Sequence, residues 1–174
     1  NQPTLASLSQ RSVDIAPDPG IKGSQEQTIA AYRKFLDTAP RASQRPEAMR
    51  RLGDLEMDSV DRRVADGQVK GELSDYRAAI TRYQDYLRSH PGDPGNGRVL
   101  YQLARAQEQG GALELALKTL DQLVRDFPNS PNRDEAQFRR GELLFTMREY
   151  VKAEQAYAAV LTGADKGYHE RALY

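Results

Sequence analysis

Neither cysteine nor tryptophan occurs in these 174 residues. The first absence excludes disulfide staples and thiolate chemistry, and leaves the redox character of the compartment open. The second leaves a core to be built from Leu, Ala, Tyr and Val, and a core rich in alanine suits closely packed helices. There is also no excess of charge of either sign, with 25 basic and 25 acidic residues. That balance argues against a general binder of nucleic acid or of an anionic membrane. No apolar run approaches the roughly 18 residues that a membrane span needs.

Residues suited to chemistry are scarce. His90 and His169 are the two histidines, 79 positions apart, and neither has the neighbours of a metal site. His90 precedes Pro91 at an expected helix end, where a cation meets the C-terminal dipole. The glycine-rich "PGDPGNG" at 91–97 lacks the following Lys-Ser/Thr and the preceding strand of a phosphate loop. No G-x-S-x-G is present. Carboxylates are plentiful, but stretches such as "DRRVADG" and "RDEAQFRRGE" mix them with Arg and Lys at helical spacing, the pattern of a solvated, ion-paired face. The expectation is a protein with no catalytic residues, no cofactor and no metal.

What the chain does have is a repeat. Residues 98–128, "RVLYQLARAQEQGGALELALKTLDQLVRDFP", recur in pattern as residues 135–165, "EAQFRRGELLFTMREYVKAEQAYAAVLTGAD". Tyr101 aligns with Phe138, Ala104 with Gly141, Ala116 with Ala153 and Leu120 with Tyr157, each pair 37 residues apart. A period in the thirties with small residues at fixed helical positions predicts stacked helical hairpins. An earlier copy carries Gly53, Ala79, Tyr83 and Pro91, with about 14 inserted residues between Met57 and Asp75. Those residues read either as an extended helix pair or as a partner-specific loop.

Apolar spacing and breakers predict helices over about 25–38, from 43 or 44 to 64, and over 74–89, 97–109, 112–126, 133–146 and 149–161, with another opening near Tyr168. No segment alternates with period two, so no sheet is expected. Residues 1–24 hold Pro3, Pro17, Pro19, Gly20 and Gly23 without a sustained period and read as an extended lead-in. Residues 25–174 read as the array. The chain opens at Asn1 with no signal peptide visible, and "ERALY" at 170–174 restarts the pattern of "DEAQF", so a fragment of a longer array is expected.

These hairpins resemble the tetratricopeptide repeat. One copy matches it through Ala104, Ala116, Leu120 and Pro128, and the next through Gly141, Ala153 and Tyr157 with Asp165 in place of proline. The resemblance covers residues 25–174. It implies an all-α, right-handed superhelical solenoid of about three and a half hairpins, and a non-catalytic scaffold that captures a protein or peptide partner in a concave groove lined by the first helix of each hairpin. The groove positions it implies are Glu47, Arg50, Asp54 and Met57, then Arg98, Tyr101, Arg105 and Glu108, then Glu135, Phe138, Glu142 and Phe145. Tyr101, Phe138 and Tyr174 would form an aromatic ladder along that groove; in the bland alternative the same rings pack between hairpins as core. The Lys and Asn of chaperone-tail clamps are replaced by Arg, Tyr, Glu and Phe, so chaperone-tail binding is not expected. The wording "RDFPNSPNRDEAQFRRGELLF" is similar to tetratricopeptide proteins of the Gram-negative envelope, such as the outer-membrane assembly lipoprotein and the periplasmic Tol–Pal partner. It implies a periplasmic or outer-membrane-associated location. Self-association through the array ends is a further expectation, and an architectural spacer with no external ligand is the alternative reading.

Overall fold

The computed structural model describes residues 20–163, with side chains from residue 25. Among them are seven helices and no strand: α1 (Gly20–Thr38), α2 (Arg45–Ala65), α3 (Arg77–Ser89), α4 (Asn96–Gln109), α5 (Leu113–Asp126), α6 (Arg133–Thr146) and α7 (Tyr150–Leu161). Helices α2–α3, α4–α5 and α6–α7 form three hairpins, and each hairpin packs on the next. In each, the first member is the A helix and the second the B helix. The result is an all-α helical repeat solenoid. Helix α1 starts at Gly20, about five residues before the position its apolar period suggests. The expected helix near Tyr168 and the ladder residue Tyr174 lie outside the described residues, as do His169 and residues 1–19.

The core follows from one apolar stripe per helix. On α5, Ala116, Leu120 and Leu123 fall at i, i+4 and i+7 and are fully buried. The core runs on from hairpin to hairpin, because Leu87 packs on both the first and second clusters and Leu117 on both the second and third. Neighbour-to-neighbour packing of this kind makes the array nearly one-dimensional in its energetics.

Two position pairs fix how each A helix meets its B helix. In the first hairpin a Cβ on Gly53 would lie 2.8 Å from the Tyr83 ring, and in the third a Cβ on Gly141 would lie 2.4 Å from the Tyr157 ring. The second hairpin has Ala104 opposite the smaller Leu120 at the same positions. A tyrosine on the B helix therefore goes with glycine on the A helix, and leucine goes with alanine. The second pair changes character along the chain. Glu56 meets Arg82 in the first hairpin, with Nε to Oε2 at 3.6 Å. The Thr119 hydroxyl donates to Gln107 Oε1 at 2.7 Å in the second. Leu144 and Ala156 share an apolar cluster in the third. Glu56 is 4% exposed and also receives Arg33 of α1, through Nη2 at 2.7 Å and Nε at 3.0 Å.

The inserted residues divide between helix and loop. Helix α2 has 21 residues where α4 and α6 have 14, and the remainder forms the connection 66–76. Gly67 and Gly71 turn this connection at φ of 69° and 77°. Asp75 closes it by accepting the N–H groups of Gly71 and Glu72 on Oδ2, at 3.1 and 2.9 Å. The other two A-to-B connections are short. Gly111 takes φ 81° in one, and Arg148, at the equivalent place in the other, takes φ 64°. A non-glycine residue there carries about 1–2 kcal/mol of backbone strain.

Candidate partner-binding face

The A helices α2, α4 and α6 lie side by side, and side chains from one reach the next. Arg98 of α4 donates through Nη2 to Asp54 Oδ2 of α2 at 3.2 Å. Arg139 of α6 donates to Glu108 Oε2 of α4 at 3.1 Å and to the Tyr101 hydroxyl at 2.9 Å. The Tyr101 hydroxyl in turn donates to the Glu135 carboxylate of α6. The Arg139 guanidinium also stands over the Tyr101 ring, 5.7 Å from its centroid.

This network settles where the expected groove residues go. Met57 is 2% exposed and belongs to the core around α1–α4. Tyr101 is 5% exposed beneath Arg139, and Phe138 is 9% exposed with its ring 5.8 Å from that of Tyr157. These three are corrections to the groove expectation: Met57 faces inward, and the two rings fill the seams between helices rather than present a ladder. The other positions remain at least partly open. Arg50 is half-buried and ion-paired to Glu47 on its own helix. Asp54 accepts the Tyr83 hydroxyl at 2.8 Å. Burial pushes its carboxyl above the ordinary range, against the pull of that hydrogen bond and of Arg50. Arg98 and Glu135 are partly exposed and already paired as described. Arg105 donates to Gln102 Oε1 of its own helix at 3.2 Å. Glu142 is exposed and accepts the Tyr157 hydroxyl. Phe145 is 59% exposed and meets Tyr150 edge-on, with centroids 5.4 Å apart.

Arg139 was absent from the expected set, although it organises the seam between α4 and α6. It sits four residues after Glu135, on the side of α6 that faces α4, and that spacing was the available signal.

Tyrosine hydroxyls recur as the polar end of the packing. Besides Tyr83, Tyr101 and Tyr157, Tyr76 donates to Asp61 at 2.9 Å and Tyr86 to Asp93 at 3.0 Å. Burial first, then the carboxylate partner, pushes all five phenols up, Tyr76 to about 12. Tyr101 also reaches about 12, held back in part by Arg139. Each folded value lies above that of an unfolded tyrosine, about 10. The stability they contribute is therefore fully present below pH ~10 and lost as pH rises from there through about 12. In an alkaline titration, phenolate absorbance and loss of helical ellipticity are expected to appear together, above the normal tyrosine range. Normal titration with the helices intact would contradict this packing.

Among the described residues no group of His, Asp and Glu is placed to hold a metal ion. His90 stacks on Tyr86 with centroids 4.8 Å apart and contacts the Tyr86 carbonyl through Nδ1 at 3.2 Å, which is a structural role. The "PGDPGNG" loop is organised by Asp93, whose Oδ1 accepts the Gly95 N–H at 2.7 Å. No helix among the described residues is long and apolar enough to cross a membrane.

Stacked antiparallel hairpins with small residues at the crossing points define a helical repeat protein. Residues 64–131, and again 115–169, match the tetratricopeptide repeat. Together the matches span more than half of the 174 residues, and the chain belongs to the tetratricopeptide repeat family. Among solved structures, the chain is similar to MamA, with 22% identity, a TM-score of 0.59, and coverage of 87% of this chain and 75% of that one. It is also similar to a tetratricopeptide repeat protein from Parabacteroides merdae ATCC 43184, with 21% identity and a TM-score of 0.54, over 83% of this chain and 55% of that one. At these identities the likeness shows the fold alone. No curated protein matches the chain. Repeats of this family generally mediate protein–protein interaction.

Proposed function

We propose that this array is a non-catalytic scaffold that holds a segment of a partner protein against the face formed by α2, α4 and α6. The observation that carries this reading is the set of side chains left at the surface of that braced face. Arg105 and Glu142 stand at one repeat position and Arg50 at another, and the exposed Phe145–Tyr150 pair stands at one end. Interhelical ion pairs hold the face in shape before a partner arrives, so binding orders only the ligand. Arginines and carboxylates side by side favour a segment carrying both signs of charge, and the two rings offer it an apolar anchor. The sequence resemblance of residues 125–145 supports placing this protein in the bacterial envelope, in the periplasm or at the outer membrane.

The test is affinity capture from envelope extract by the parent chain and by an Arg105→Glu/Phe145→Ala variant. Circular dichroism first establishes that the variant is folded; neither residue is in the buried core. A protein retained by the parent and reduced at least tenfold on the variant is the expected result. Equal capture by both would sink the reading.

A spacer function is the second reading, and a specific observation favours it. Tyr101 and Phe138 are core, and Asp54, Arg98, Glu108 and Glu135 are already paired within the array. A parent chain that captures nothing would support the spacer.

A further inference from the structure

We infer that the A-helix face selects its partner by the order of charges: a polyproline-type segment carrying a cation, an anion and a cation at every third residue. This rests on the scaffold reading above and specifies the segment that the face takes.

The basis is a repeat position whose charge changes sign from helix to helix. Asp54 of α2, Arg105 of α4 and Glu142 of α6 are equivalent: the second step is 37 residues, and the first is 51 because the insertion lies within it. A second position repeats the alternation with Glu47, Arg98 and Glu135. All six side chains are at least partly exposed. Carboxylates of α2 and α6 thus flank arginines of α4. The two rows differ in their existing partners. Glu47 pairs with Arg50 and Arg51, Arg98 with Asp54, and Glu135 with Arg139. In the other row, Arg105 and Glu142 meet no opposite charge among the described residues. Arg105 donates to Gln102, and Glu142 accepts the Tyr157 hydroxyl. Asp58, exposed one turn beyond Asp54, reinforces the negative side.

The spacing of the helices selects the conformation of the segment. Arg98 and Arg139 bridge both gaps between neighbouring A helices, and helices at packing distance lie about 8–10 Å apart. A segment crossing α2, α4 and α6 therefore has to present one charge about every 9 Å. A polyproline II helix has roughly three residues per turn, so residues i, i+3 and i+6 point the same way at intervals of about 9.3 Å. In a β-strand, i and i+3 point to opposite sides. An α-helix reaches this spacing at i and i+7, but it needs an apolar groove for its buried face. The floor between these helices offers none, because Met57, Tyr101 and Phe138 are buried. A polyproline segment keeps its backbone solvated and needs no such floor.

The test compares two peptides of identical composition and net charge, Lys-Pro-Pro-Glu-Pro-Pro-Lys and Lys-Pro-Pro-Lys-Pro-Pro-Glu. Both are acetylated and amidated to remove the terminal charges. Titrated into the full chain and followed by amide NMR shifts, the first is expected to bind about fivefold or more tightly than the second, with the largest shifts around Arg105 and Glu142. Arg105→Glu/Glu142→Arg turns the row into two anions followed by a cation. The preference is then expected to invert, toward the second peptide or toward Glu-Pro-Pro-Lys-Pro-Pro-Lys, according to the direction in which the segment runs. Circular dichroism checks that this variant folds; the comparison on the parent chain does not depend on it. Equal affinity for both peptides on the parent, no saturable shift with either, or an unchanged preference in the folded variant would each overturn the charge order. An envelope protein captured through Arg105 and Phe145 despite such a result would leave the scaffold reading standing, so the two failures are distinguishable.

Discussion

Gly53→Ala is expected to destabilise the array by about 1–3 kcal/mol, the usual range for forcing extra atoms into a packed core. The sign is the informative part, because the same change in an exposed helix interior stabilises by about 1 kcal/mol. The added Cβ would lie 2.8 Å from Tyr83 Cε1, and that ring has nowhere to go. Tyr83 is 1% exposed, and its hydroxyl is held by Asp54. The contrast with Gly141→Ala sharpens the point. There the added Cβ falls closer, 2.4 Å from the ring, yet Tyr157 is half-exposed and can swing outward at the cost of its Glu142 hydrogen bond. Gly141→Ala is therefore expected to cost less than Gly53→Ala, even though its nominal clash is worse. Combining Gly53→Ala with Tyr83→Leu copies the Ala104–Leu120 pair of the second hairpin. Chemical denaturation should show the double variant losing less than the sum of the two single changes, by about 1 kcal/mol. Strict additivity would mean that ring and glycine are not in conflict.

Removing both arginines that face Glu56 should be more damaging still. Arg33→Ala/Arg82→Ala leaves a carboxylate that is 4% exposed without a cation, at an expected cost of about 3–5 kcal/mol. The arginines themselves are partly exposed, so water takes them back if the acid is removed instead. Adding Glu56→Leu to the double variant recreates the Leu144–Ala156 pair of the third hairpin and should recover most of the loss. Glu56→Leu alone should be much milder than the double arginine change. If the two cost the same, the cluster acts through packing of the side-chain stems rather than through charge.

These comparisons between hairpins explain which parts of the fold could be read from the chain. The helices from α4 to α7 lie within a residue or so of where apolar spacing and the Gly110-Gly111 and Phe127-Pro128 breakers put them. Small residues at 53, 104 and 141 marked the crossing points, but their dependence on Tyr83, Leu120 and Tyr157 emerged only once the helices were paired. The surface was harder to read for a physical reason. Position 101 lies between the open face and the neighbouring A helix, and helical spacing alone does not choose between them. Arg139, one hairpin further on, makes the choice by covering the ring and bonding its hydroxyl. Met57 was misplaced because the insertion lengthens α2, and the core of the first hairpin extends along it as far as Val60. The left-handed turn at Arg148 had no local signal, since a bulky residue stands where the preceding repeat has Gly111.

The most direct test of the account places a photoreactive amino acid, in living cells, at Arg105 and at Phe145 on the A-helix face. Gln84 and Gln122, exposed positions on the B helices, serve as the comparison. One protein is expected to be cross-linked from both A-face positions and from neither B-helix position. Cross-links arising only from Gln84 or Gln122 would contradict it and move recognition to the opposite side of the array.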